Sequence, residues 1–117
     1  MFDNLTDSAK ELIYSAQNNA IENHNTMIEV IHILNAMTQS NSESIVALFK
    51  ELKLNSNIFS KDVEQIVNNL AKTSEINNQL YFSRGCLAML EIAKEKAKQL
   101  KDKFVSPEHI LLAIVNS

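Results

Sequence analysis

Apolar residues fall at three- and four-residue intervals along most of this chain, the spacing of helices that bury one face. Ala9, Leu12, Ile13, Ala16 and Ala20 form the first stripe, which predicts a helix capped by Thr6, with Ser8 and Glu11 as a competing capping box two residues on. A second helix runs from about Glu29 to Met37, capped either by Glu29 or by Thr26 with Glu29 as its reciprocal partner. Ser42-Glu43-Ser44 opens a third, carrying Ile45, Leu48, Phe49 and Leu52. Val63, Ile66, Val67 and Leu70 mark a fourth, with Ile58 and Phe59 expected to pack at its entry. Residues 71–80 carry no apolar period, and Asn77-Asn78 suits a connection. The fifth helix starts at Ser83 and places Cys86, Met89, Leu90, Ala93, Ala97 and Leu100 on one stripe. The sixth opens on Ser106-Pro107-Glu108, which supplies a hydroxyl cap, a proline at the first helical position and an acid in the first turn.

These stripes occur twice. Residues 5–37 align with residues 82–114 at a constant offset of 77 with no gap. Identical pairs include Ala16/Ala93, Ala20/Ala97, His32/His109, Ile33/Ile110, Leu34/Leu111 and Ala36/Ala113; Leu5/Phe82, Met27/Phe104 and Ile28/Val105 exchange one apolar residue for another. Apolar and small positions persist while polar ones have drifted, as in two copies of one unit whose packing must be kept. The chain divides into a first repeat at 1–70, a connection at 71–81 and a partial second repeat at 82–117. Shifting residues 42–70 by the same offset places their counterparts at 119–147, beyond Ser117. The second repeat is therefore expected to stop after its second helix, in a fragment or in a chain that lost a helix pair. Ile110, Leu111 and Ile114 are then expected to lack cover.

Composition narrows the function. One glycine, Gly85, excludes a phosphate-cradling loop, so the chain is expected to be all-α, non-enzymatic and without a bound cofactor. A net charge of -3 argues against nucleic acid. No apolar run approaches the roughly 20 residues that span a bilayer. The start lacks a signal peptide's pattern and Cys86 has no partner cysteine, which together predict a cytoplasmic protein.

Candidate chemistry is sparse. Glu29-x-x-His32 has a metal-binding spacing, but Ser106 stands at the counterpart of Glu29, so His32 and His109 read as matched structural residues. Cys86 reads as a buried thiol, and the lysines of 94–103 as a solvated face. Thr6, Asp102 and Glu108 each stand at a helix start or in the turn feeding one. They are caps, or they form a shared polar rim where the repeats meet.

At these residues the chain resembles the amino-terminal domain of the Clp family of AAA+ chaperones, the ClpB disaggregase branch above the ClpA and ClpC branches. The resemblance rests on Leu5-Thr6, on Met27-Ile28-Glu29-x-x-His32-Ile33-Leu34-x-Ala36, on Tyr81-x-Ser83-Arg84, on Ala93-x-Glu95-x-Ala97-x-x-Leu100, and on Asp102-x-Phe104-Val105-Ser106-x-Glu108-His109-Ile110-Leu111-Leu112-Ala113-Ile114. It covers nearly the whole chain and implies a tandem repeat of a four-helix unit. It also implies a module that engages unfolded or aggregated protein, or an adaptor, for a hexameric parent that binds ATP and magnesium and works with a DnaK-type chaperone system. Conserved polar positions of the family correspond to Thr6, Asp102 and Glu108, and its substrate groove to the region of Leu90, Lys96 and His109. Lys96 and His109 depart there from apolar family residues. A free-standing helical adaptor or regulator is the alternative.

Overall fold

Six helices form where the stripes predict them. The computed structural model describes residues 4–74 and 79–116, so the expected connection at Asn77-Asn78 lies outside the described residues. The helices are α1 (Asp7–Glu22), α2 (Val30–Thr38), α3 (Glu43–Glu51), α4 (Ser56–Asn68), α5 (Arg84–Gln99) and α6 (Pro107–Val115). No helix among them is long and apolar enough to cross a membrane.

Capping decides the starts. Thr6 Oγ1 accepts the Ala9 N–H at 3.1 Å, so Thr6 caps α1 and the Ser8–Glu11 alternative falls. Ser83 repeats the bond with the Cys86 N–H, also at 3.1 Å. Glu29, and not Thr26, caps α2. One element differs from expectation: Asn55 caps α4 by accepting from the Asn57 and Ile58 N–H groups, so Ile58 and Phe59 lie inside the helix. Ile58 is exposed there, while Phe59 meets Phe49 edge-on with ring centroids 6.1 Å apart. Leu70 falls beyond the helix end.

The ends share a different device. After α1, α3 and α5 the chain turns through His24, Lys53 and Lys101 with φ of 58°, 57° and 60°. In each case the next N–H returns to a carbonyl of the last turn, as in Asn25 to Ala20 at 2.9 Å and Asp102 to Ala97 at 2.8 Å. These are Schellman caps built without glycine.

The two repeats are joined about a pseudo-twofold axis. Leu5 pairs with Val105 and Phe82 with Ile28, each in a parallel single-residue bridge. Thr6 N–H donates to Val105 O at 3.0 Å, and Ser83 N–H donates to Ile28 O at 2.9 Å. Offset by 77 residues, one bridge is the other with the repeats exchanged. Each first helix thus enters beside the second helix of the opposite copy. Behind these bridges lies one core, drawn from α1, α2, α3, α5 and α6. Ala16, Ala20 and Ala93 are fully buried in it, where a methyl group lets helices approach closely.

The expectation that Ile110, Leu111 and Ile114 lack cover is overturned. Ile110 and Leu111 are 0% and 5% exposed, and Ile114 packs against the same core. Their cover comes from α5, α1 and α3. The exposed apolar residues of α6 are Leu112 and Val115 instead. Their counterparts in the first repeat are Asn35 and Thr38, on a helix that packs against α4.

Candidate partner-binding surface

The turn from Leu100 to Ser106 joins α5 to α6 and carries Asp102, with Glu108 and His109 in the first turn of the helix that follows. Its start is fixed by the Schellman cap that holds Asp102, and its end by the pairing of Val105 with Leu5. Ser106 then caps α6, Pro107 takes the first helical position, and His109 completes a capping box.

His109 ties the turn together. Its Nδ1 accepts the Ser106 N–H at 2.9 Å, which leaves the proton of a neutral ring on Nε2. Nε2 lies 2.9 Å from Asp102 Oδ2 and donates to it. The His109 side chain is 6% exposed, whereas the Asp102 side chain is 52% exposed. A buried ring therefore anchors a carboxylate that faces water.

The five predicted residues separate into two kinds. Thr6 and Asp102 attach to opposite ends of one turn, Thr6 through its N–H to Val105 O and Asp102 through His109. Glu108 stands exposed in the first turn of α6, with no hydrogen-bond or ion-pair partner among the described residues. Leu90 and His109, at 6% and 4% exposure, lie beneath the surface and offer it no contact area. Lys96, half-buried, is in the last turn of α5. Asp7, Lys101 and Lys103 are exposed on the same segments, so the surface carries both signs of charge.

Two contributors were not singled out in the sequence. In the sequence Phe104 is an apolar match to Met27 and one position of the family stretch, with no surface role, yet both are exposed, at 51% and 42%. Asn25 is the other. It aligns with Asp102, and His32 Nε2 donates to its Oδ1 at 2.8 Å as His109 does to Asp102. His32 Nδ1 likewise accepts the Glu29 N–H, at 2.8 Å. Both ring nitrogens of the Glu29-x-x-His32 motif are engaged within the fold. The constant offset was the signal for this second pair, hidden by the change from amide to carboxylate.

Beyond that shared geometry the repeats diverge. Asn25 is 3% exposed and roofed by 71–73: its amide donates to Ala71 O at 3.1 Å, and its backbone bridges Lys72. Across the pseudo-dyad, Met27, Val30, Ile31, Phe82 and Arg84 line an open cleft of about 700 Å³. Its Ile31 and Arg84 replace Glu108 and Asp7 of the other face. Cys86 sits fully buried, where burial pushes its thiol up to about 12 and the Glu29 carboxylate adds to the shift, so it stays protonated.

Six helices, four in the first repeat and two in the second, with the entry segment of each repeat paired to the other, define an all-α tandem-repeat domain. Residues 4–117 match the family described as the Clp repeat (R) N-terminal domain, and the chain belongs to that family. It is 30% identical over 114 residues to the chaperone protein ClpB of Bacteroides thetaiotaomicron, covering 97% of this chain and 13% of that protein. To ClpB of Bacillus anthracis it is 24% identical over 112 residues, covering 93% of this chain and 13% of that one. The Hsp104 N-terminal domain of Candida albicans shares the fold with a TM-score of 0.84 at 23% identity, over 95% of this chain and 73% of that one. The chain thus spans about 13% of the length of the curated relatives it matches.

Proposed function

We propose that this chain is the substrate- or adaptor-binding module of a ClpB-like disaggregase, engaging unfolded or aggregated protein in the cytoplasm. In this reading the parent is a hexameric ATPase that uses ATP and magnesium and cooperates with a DnaK-type chaperone system during stress. One observation carries the reading: the match to ClpB chaperones extends over the residues that build the surface described above. That surface is Thr6, Asp102 and Glu108, with His109 bonded to Asp102 from below and Leu90 buried in the core. An exposed face on a small domain captures weakly, and a ring supplies avidity through several copies.

The test separates capture from folding. Thr6→Ser keeps the helix cap, and Glu108→Gln keeps the size of the side chain while removing its charge. With reduced, carbamidomethylated lysozyme as an unfolded probe, both variants should bind less while melting as the parent does. Unchanged capture by both would place the partner site elsewhere. The rival reading, a free-standing adaptor, makes the same capture prediction but no contribution to aggregate recovery when the domain is joined to a ClpB ring.

A further inference from the structure

Each repeat holds a histidine whose Nδ1 accepts its helix-cap N–H and whose Nε2 donates to an oxygen seven residues back. In the first repeat that oxygen belongs to an amide, Asn25, buried and bonded on its other side to Ala71. The scaffold therefore requires an acceptor oxygen at this position and no charge. In the second repeat the acceptor is a carboxylate, half in solvent, with Lys101 and Lys103 exposed on either side. Only its Oδ2 has a partner among the described residues. The negative charge of Asp102 is surplus to what folding asks of the position, and it belongs with Thr6 and Glu108 to the surface assigned to the partner.

We propose that His109 is a positioning residue for partner capture: it touches no partner, and it aims the Asp102 carboxylate so that the free oxygen can accept donors from an unfolded polypeptide. This rests on the reading of the Thr6–Asp102–Glu108 surface as the partner site. The imidazole does two things at once, and amide side chains split them. In His109→Asn the side-chain oxygen reaches where Nδ1 stood, so the cap on Ser106 is kept and the hold on Asp102 is lost. In His109→Gln the side-chain N–H reaches where Nε2 stood, so Asp102 is held and the cap is lost. Asp102→Asn keeps the bond to His109, as Asn25 does for His32, and removes only the charge.

The experiment measures capture of reduced, carbamidomethylated lysozyme by the full chain and these three variants, at two salt concentrations, beside their thermal melts. Asp102→Asn and His109→Asn should each bind roughly fivefold more weakly, with a flatter salt dependence, as for one rim charge lost or misaimed. His109→Gln should bind like the parent although its melting temperature falls more than that of His109→Asn. A structural role alone predicts the reverse order, with capture following stability. Full capture by His109→Asn with loss in Asp102→Asn overturns the positioning role and leaves the partner surface standing. Full capture by Asp102→Asn overturns the use of the charge. No capture by the parent, or none lost in Thr6→Ser and Glu108→Gln, sinks the surface itself. Independently of capture, ring ¹⁵N shifts of the parent should show Nε2 protonated in His109; the opposite tautomer overturns the geometry.

Discussion

Polar side chains that serve the fold and those free to serve a partner are separated here by small differences. His32 and His109 were legible in the sequence as matched structural residues, because both histidines survived the divergence of the repeats. What they hold was not legible, since Asn25 and Asp102 share a shape and not a letter. His32, fully buried, makes a prediction. Burial lowers the His32 pKa below its ordinary 6.5, against the opposing pull of the Glu29 carboxylate. A histidine held neutral in the fold contributes stability that is complete above 6.5 and lost as pH falls from there toward its depressed folded value. Below 6.5 the unfolded chain binds the proton that the folded chain refuses. Urea unfolding should therefore show the free energy dropping on acidification from neutral pH, and His32→Asn should flatten that part of the curve. An equal slope in both proteins would assign the pH dependence to other groups.

Helices were the most legible elements, because their stripes follow the helical period and their caps use Thr6, Ser83 and Ser106. Their ends were not legible. A chain with one glycine cannot signal three Schellman turns in the usual way, and His24, Lys53 and Lys101 occupy the left-handed positions instead. The start of α4 was missed for a related reason: Ile58 is exposed in its first turn and so breaks the stripe. The bridges joining the repeats were invisible, since pairing of one residue leaves no alternation to read. The strained turns give an engineering prediction. A left-handed residue other than glycine costs about 1–2 kcal/mol, while glycine adds about 0.5–1 kcal/mol of backbone entropy cost. Lys53→Gly should stabilise the chain by roughly 0.5–1 kcal/mol in urea unfolding, with an unchanged m value. Lys53 is exposed, follows α3 and is none of the residues assigned to the partner surface, so partner capture should not change. A loss of stability would mean that its side chain makes a compensating contact.

At the scale of the whole molecule the two repeats share one core cluster. The sequence suggested repeats in succession and led to the expectation of a bare α6. Core membership instead crosses between copies: α3 of the first repeat packs on α6 of the second, and each entry segment pairs with the opposite repeat. Ile33 and Ile110 are counterparts, both fully buried in the shared cluster. Truncating either to alanine should cost about 2–5 kcal/mol. Because the core is common, Ile33→Ala should lower hydrogen-exchange protection in α5 and α6 as much as in α1 and α2, through a single global opening. Leu112→Ala, on the exposed face of α6, should stay within about 0.5 kcal/mol of the parent. If α5 and α6 keep parental protection when Ile33 is truncated, the repeats are separate cooperative units. The bridges at Leu5–Val105 and Ile28–Phe82 would then be docking contacts and no part of a common core.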